Sequence, residues 1–464
     1  MPSSPTQAPA ARRGPAPDAG TVDLVALGIV DGRTVRGCRP DPGSGDYLRS
    51  TAVLPLAGRP IIEWLVEDLN RQGVRDICVL AHEDEHRLQA EAALGRAAGS
   101  GAGLRFATAA RPGWTAAFLA ATDGWQRTGP VLVIPTDSLF RLDLRSMARE
   151  HVASGAALTV GAVQRDITDI AGRHDVLQVG PTSRLTGVVS RPSLADLRAE
   201  GSPAAARRPV NTGIYLIDPV AIQRFLSQRD LAEPAYAARD LGTVLLPWLV
   251  RNGYSVQVRL IGEMGGVDTP RDYLETLHTA LRGGFGALHR DAEGYVELPG
   301  QRWIHESSLL REDALLRSLR QRLADGSVRL GHGVHIGRDV TIRSGVRITD
   351  ADVGDGALID AECVLEQVAC GPGSVIGPFA RLQDCYLGAG VEVRSSADAP
   401  TTISGYSVIG DGATVMPGAR IHQVSVYPRL AIPADRHLPE GMEVASAAVL
   451  ETLAVRSAAV AWPA

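Results

Sequence analysis

Lysine is absent from all 464 residues, so each of the 47 basic side chains is an arginine. A Schiff base, a phosphate-binding P-loop lysine and a lysine general base all need a primary amine and are excluded together. A coding bias toward Arg and Ala accounts for much of this pattern without restoring that chemistry. Cysteine is scarce as well: Cys38, Cys78, Cys363, Cys370 and Cys385 are odd in number and lack CxxC spacing. Neither a disulfide framework nor a zinc knuckle is implied, and buried apolar thiols are expected. No run approaches the roughly 18 to 20 apolar residues of a membrane span, and the opening MPSSPTQAPAARRGPAPDAG lacks the apolar core of a secretory signal. No membrane partner is expected, and the expected compartment is the cytoplasm. A net charge of −5 also lacks the positive excess of a nucleic-acid binder, so nucleic acid is not an expected partner.

What is present divides along the chain. A length of 464 residues exceeds what one hydrophobic core organises. Residues 1–20, rich in Pro, Ala and Ser, read as a disordered tail. From there the runs VDLVALGIV, IIEWLVEDLNRQGV, DICVLA and PVLVIP alternate strand and helix patterns, which predicts an α/β domain over 21–282 built on a parallel sheet. Ile61, Ile62, Leu65, Val66 and Leu69 have the spacing of a helix that buries one face, and Gly73 ends it. Residues 283–327 read as a linker with a short amphipathic helix carrying Leu309, Leu316, Leu319 and Leu323. Arg317, Arg320 and Arg322 are expected on that helix's wet face.

A period of six then begins. Val328/Leu330, Val334/Ile336, Val340/Ile342 and Val346/Ile348 fall in register. After interruptions the register returns at Ala357/Ile359, Cys363/Leu365, Ser374/Ile376 and Ala380/Leu382, and again at Ser407/Ile409, Ala413/Val415 and Ala419/Ile421. No helix has that period. A solenoid whose flat faces each take one hexad does, so a left-handed parallel β-helix of hexapeptide repeats is expected over 328–446, with a packed helix in the tail 447–464. Gly333, Gly337, Gly345, Gly377 and Gly410 are expected at its tight corners.

Four motifs in order carry a resemblance. STAVLPLAGRPIIEWLVEDLNRQGV looks like a PKxLLPVxGKPxI run with its long helix, PTDSLF like a GDxLF metal-aspartate segment, VNTGIYLID like an NxGIY sugar-site strand, and GGVDTPRDYLETL like WxDVGTPxxY. Over residues 22 to 440 the chain thus resembles the sugar-1-phosphate nucleotidyltransferases, the NDP-sugar pyrophosphorylases that join a Rossmann-like nucleotidyltransferase domain to a left-handed β-helix. The resemblance implies in-line attack of a sugar phosphate on the α-phosphorus of a nucleoside triphosphate. It also implies Mg²⁺ as cofactor, and a nucleoside triphosphate or nucleotide sugar and a sugar phosphate as partners. Exposed solenoid faces make a homo-oligomer the expected assembly.

Compared with the family pattern, the charge inventory is thinned. LGIVDGRTVRGCRP keeps Gly28 and Gly32 of the phosphate loop but inverts its Thr-Arg pair, which leaves either Arg33 or Arg36 to reach a phosphate. The activating lysine position is Thr51, with Arg49 two residues earlier as a substitute cation. Asp137 matches the first metal aspartate. The second expected carboxylate position is Gly266, and Asp268 two residues on is either a displaced ligand or a helix-start carboxylate. On the sugar side the family's EKP becomes Ser190-Arg191-Pro192, which keeps a cation and loses a carboxylate. Arg59, Arg191, Asn211 and Gly213 complete the substrate-binding set, and Trp114 stands in the nucleotide-base segment. The spelling His82-Glu-Asp-Glu-His86 matches a zinc motif without an evident third ligand, and His332 and His335 lack the companions of an acyl-transfer site. Two function classes stay open: a nucleotide-binding relative with weak or lost catalysis, a possible pseudoenzyme with a regulatory or assembly role, and a working transferase using Arg33 or Arg36, Arg49 and Asp137. A scaffold that only oligomerises through its β-helix is a third.

Overall fold

The computed structural model describes residues 25–30, 50–81, 84–95, 103–108, 129–199, 207–227, 241–286, 293–312 and 315–452. The sequence-predicted tail 1–20 and Cys38, His82 and Trp114 lie outside them. The first strand β1 (Val25–Val30) runs parallel to β2 (Asp76–Ala81) on one side and to β4 (Val131–Pro135) on the other, with β3 (Gly103–Thr108) parallel beyond β2. Helix α1 (Ile61–Arg71) precedes β2 and α2 (Asp84–Gly95) follows it. Ile61, Ile62, Leu65, Val66 and Leu69 are buried as the periodicity requires, and Gly73 follows at φ +98. The sheet is not parallel throughout. The long strand β9 (Arg207–Ile217) runs antiparallel to β4 and to β6 (Leu158–Asp166), and β10 (Val256–Leu260) lies parallel to β6. A short β5 (Ser138–Phe140) just after β4 pairs with β11 (Met264–Gly266), and α5 (Pro270–Leu281) follows directly.

The solenoid starts earlier than its hexads. Within the stretch assigned to the linker, Tyr295–Leu298 and Arg302–His305 form an antiparallel hairpin whose second strand pairs in parallel with Val334–Ile336, so residues 302–305 supply the first rung of one face. The expected amphipathic helix is two short ones, Glu306–Leu310 and Leu319–Ala324, with Leu316 75% exposed between them at φ +57. Arg322 is not on a wet face. It is 1% exposed and donates to the carbonyls of Ile342, Ser318 and Arg311, which holds the helix against the solenoid wall.

A second solenoid face has six rungs, Thr341, Leu358, Val375, Glu392, Thr414 and Ala431, spaced by 17 residues except across one longer turn after Glu392. Seventeen is one less than three hexads, and that missing residue explains the interruptions in the period. One corner of a turn is made by a left-handed residue, Asp350, Gln367, Asp384 or Gln423. Gly345 supplies the left-handed conformation itself at φ +80, whereas Gly410 is needed for a different reason: a Cβ there would stand 2.5 Å from the Pro428 nitrogen in the next turn. Cys363, Cys370 and Cys385 are buried free thiols in this wall, and desolvation pushes the first two up to about 12. At the far end the chain turns helical over 447–452 with Leu450 buried.

The face that begins at residues 302–305 is docked on the first domain. Tyr386, Ala369 and Val408 join Tyr273, Leu274 and Leu277 of α5 in one continuous apolar cluster. Tyr273 meets Tyr386 edge to face at 5.3 Å, and Arg282 clasps Asp350 through two hydrogen bonds of 2.9 and 2.7 Å. A tight turn at Ala57-Gly58, between Pro55–Leu56 and Arg59–Pro60, touches the solenoid at His335. That histidine is 1% exposed and lies 2.7 Å from the Asp352 carboxylate. His335 is therefore a seam residue.

Candidate functional site

Asp137 stands where the chain leaves the carboxyl end of β4, the usual ligand edge of such a sheet. Its neighbour Ser138 opens β5, donates to Asp137 Oδ1 at 3.4 Å, and is paired in register with Gly266 of β11. The family's second carboxylate would branch from that glycine. The Cβ position of Gly266 lies 3.8 Å from Ser138 Oγ and 3.9 Å from Asp268 Oδ2, so the Asp268 carboxylate is in van der Waals contact with the place where a side chain at 266 would begin. Asp268 is not the helix cap. Thr269 is, with its hydroxyl accepting from Asp272 N. Asp137 thus lies one residue before the Ser138 that pairs with Gly266, and Asp268 lies two residues after that glycine. Among the described residues no group of three or more His, Cys, Asp and Glu side chains is poised for a metal.

Beside this pair lies a charged segment that motif reading missed. Arg173 donates to both Asp272 oxygens at 2.9 and 2.7 Å, and its charge also feels Asp268 and Asp169. His174 is pushed below its ordinary value, first by burial and then by the cations of Arg165 and Arg173, against the pull of Asp268 and Asp272. Asp175 follows. Its Oδ1 accepts from Ser190 Oγ at 2.8 Å and from Arg191 N at 3.2 Å, while its carbonyl accepts from Asn211 N at 2.9 Å. The only sequence signal is a polar His-Asp pair immediately before the strand Val176–Val179. A cavity of about 470 Å³ adjoins, lined among others by Arg165, Arg207, Glu263, Gly266 and Asp272.

The remaining sequence candidates are dispersed. Arg33, Arg36, Arg49 and Gly32 lie outside the described residues. Gly28 sits within β1, paired with Val79 and Ile134, two residues short of the strand end. Thr51 is 2% exposed and its hydroxyl has no hydrogen-bond partner among the described residues. The Arg59 guanidinium pairs with Glu63 and Glu67 and lies 4.3 Å over the Trp64 ring, so its charge is engaged with α1. Asn211 and Gly213 occupy a bulge where β9 advances from 211 to 215 against 162 to 160 on β6. Gly213 has φ +77, and the Asn211 amide donates to Tyr215 OH at 2.8 Å. His86 opens α2, 2% exposed, with neither ring nitrogen hydrogen-bonded among the described residues.

Carboxylates at the strand ends of an α/β sheet, cations around them and a parallel β-solenoid behind define an α/β domain with a charged strand-end cleft and a solenoid appendage. Comparison makes the class specific: residues 47–269 match the family model described as nucleotidyl transferase, and the chain carries a nucleotidyltransferase domain followed by a parallel β-solenoid. It is similar to a glucose-1-phosphate adenylyltransferase of Leifsonia xyli subsp. xyli, 25% identical over 313 residues that cover 62% of this chain and 71% of that protein. It is also similar to the bifunctional protein GlmU of Anaeromyxobacter dehalogenans, 25% identical over 368 residues covering 76% and 71%, and to that of Kineococcus radiotolerans, 27% identical over 314 residues covering 65% and 59%. The motif-based recognition of an NDP-sugar pyrophosphorylase relative stands. No helix among the described residues is long and apolar enough to cross a membrane.

Proposed function

We propose that the protein binds a nucleoside triphosphate and a sugar 1-phosphate in this cleft and joins them slowly. The sugar phosphate oxygen forms a bond to the α-phosphorus, the α–β bridge breaks, and pyrophosphate leaves with the electron pair. The observation that carries this reading is that Asp137 at the carboxyl edge of β4 precedes the Ser138 paired with Gly266, and that the Asp268 carboxylate lies 3.9 Å from that glycine's Cβ position. These two residues would hold a magnesium ion, which when bound supplies charge neutralisation at the phosphate oxygens. Arg173 and Arg165 add positive potential at the same edge, and His174, held neutral, brings no competing charge at neutral pH. The slowness follows from Thr51: a buried neutral hydroxyl replaces the family's lysine, and loss of one such preorganised donor costs on the order of 10² to 10³ in rate. The same observation favours a second reading, a regulatory binder without turnover.

Pyrophosphate release from each nucleoside triphosphate with a panel of hexose 1-phosphates and Mg²⁺ separates the two. Slow turnover that disappears in Asp137→Asn and falls at least tenfold in Asp268→Asn supports the transferase. Thermal stabilisation by a nucleotide sugar without turnover supports the binder. No stabilisation by any nucleotide leaves the scaffold.

A further inference from the structure

We infer that the solenoid face beginning at Arg329–Leu330 binds inorganic polyphosphate, a linear chain of closely spaced anions, along a column of four arginines. The column lies apart from the cleft and does not depend on the transferase reading. It follows from register: Arg329 pairs with Arg347, Arg347 with Val364, Val364 with Arg381, Arg381 with Thr402, and Thr402 with Arg420, all in parallel. The next residue along each strand, Leu330, Ile348, Leu365, Leu382, Ile403 or Ile421, is buried in the solenoid core. Alternation therefore turns the column outward, and all four arginines are exposed. With rungs about 4.8 Å apart, the row runs about 24 Å from Arg329 to Arg420.

None of these four guanidiniums has an ion pair or a side-chain hydrogen bond among the described residues, whereas Arg282, Arg343 and Arg394 elsewhere on the solenoid meet Asp350, Asp360 and Glu392. Carboxylates are near enough to have been used: Glu362 and Glu366 are exposed in the Val364 rung, which has no arginine. Like charges at directly paired positions, such as Arg329 against Arg347, destabilise a sheet, and nothing within the chain offsets that cost. A polyanion does. The arginines are unevenly spaced, two in successive rungs and then one in every second rung. A polymer whose charges lie closer together than the rungs offers an oxygen to each of them, and a guanidinium takes phosphate oxygens in pairs. The column contains no aromatic side chain, so the bases of a single-stranded nucleic acid find no stacking platform there. A second copy presenting the same face would set arginine against arginine.

Fluorescence anisotropy of labelled polyphosphate with the full chain, titrated across salt concentrations, tests this. The paired substitution Arg347→Gln with Arg381→Gln is expected to weaken binding by about tenfold or more. It should also lower the slope of log affinity against log salt by about two, one for each contact removed. Arg343→Gln with Arg394→Gln takes the same charge from the neighbouring face and is expected to leave affinity within about twofold of the unmodified protein. All four substitutions change exposed side chains, so both pairs are expected to melt where the unmodified protein does. Equal losses in the two pairs overturn the inference, since binding then follows net charge alone. Displacement by an equal concentration of pyrophosphate overturns it by placing the polymer in the cleft. Tighter binding of polyuridylate, counted per phosphate, overturns it in favour of a single-stranded nucleic acid. A change of oligomeric state in Arg347→Gln with Arg381→Gln without loss of polyphosphate makes the face a contact between copies instead. No binding of polyphosphate by the unmodified protein at physiological ionic strength also sinks it.

Discussion

Thr51 shows how a single position divides the chemistry of this site. It stands at the foot of the nucleotide-side segment, 2% exposed, with a hydroxyl that finds no partner among the described residues. A buried unsatisfied hydroxyl carries a desolvation cost with no return. Thr51→Val is therefore expected to raise stability by about 1 kcal/mol, read as a higher urea midpoint at unchanged slope; a fall of that size would show that the hydroxyl is bonded. Asp137 was legible in the sequence because a carboxylate following an apolar strand has one place to go, the sheet's carboxyl edge. Asp268 was legible as either a displaced ligand or a helix-start carboxylate, and only the fold showed that Thr269 takes the cap while the Asp268 carboxylate stays 3.9 Å from the Gly266 Cβ position. Asp175 was not legible at all: its hydrogen bonds come from Ser190 and Arg191, 15 and 16 residues away.

Among the elements, the turn between Pro55–Leu56 and Arg59–Pro60 links both halves of the molecule. Arg59 rivets it to α1 through Glu63 and Glu67, Trp64 Nε1 donates to Leu56 O at 2.8 Å, and Gly58 rests on His335. A Cβ on Gly58 would stand 2.6 Å from His335 Cε1, at a φ of +80 that alanine strains to adopt. Gly58→Ala is expected to destabilise by about 2 kcal/mol and to speed proteolysis at the seam between the domains. A melting temperature equal to that of the unmodified protein would show that the contact is slack. The solenoid's hexads were readable from sequence because each inward pair is buried on a flat face. The first rung at Arg302–His305 was not, since one strand shows no period. Arg322 was misplaced for a related reason: helical spacing puts charges outward, but the solenoid wall offers it the Ile342 carbonyl and the neighbouring chain those of Ser318 and Arg311.

For the whole molecule, the seam itself titrates. His278 of α5 is buried against the solenoid beside Asp350, Arg282 and Glu275, and burial lowers its pKa to about 4 from the ordinary 6.5. Its neutral form belongs to the folded state, so the stabilisation is complete above about pH 6.5 and is lost as pH falls from there toward 4. The full span is on the order of 3 kcal/mol. His151, lowered to about 4 by burial and lying 2.9 Å from Thr159 Oγ1, acts in the same direction inside the first domain. His278→Leu is expected to flatten roughly half of the fall in urea midpoint between pH 7 and pH 4.5, and an unchanged slope would place the titration elsewhere.

The chain's order of residues alone determined which chemistries are unavailable, since no arrangement in space creates a lysine. It also determined the succession of an α/β domain and a six-residue repeat, because burial on a helix or a flat strand face leaves a period that can be counted along the chain. Only the tertiary structure decided which carboxylates meet. Asp175 at Ser190, Arg282 at Asp350 and the solenoid face against α5 are contacts between segments that share no period, and their energy depends on distance through space, which periodicity does not encode.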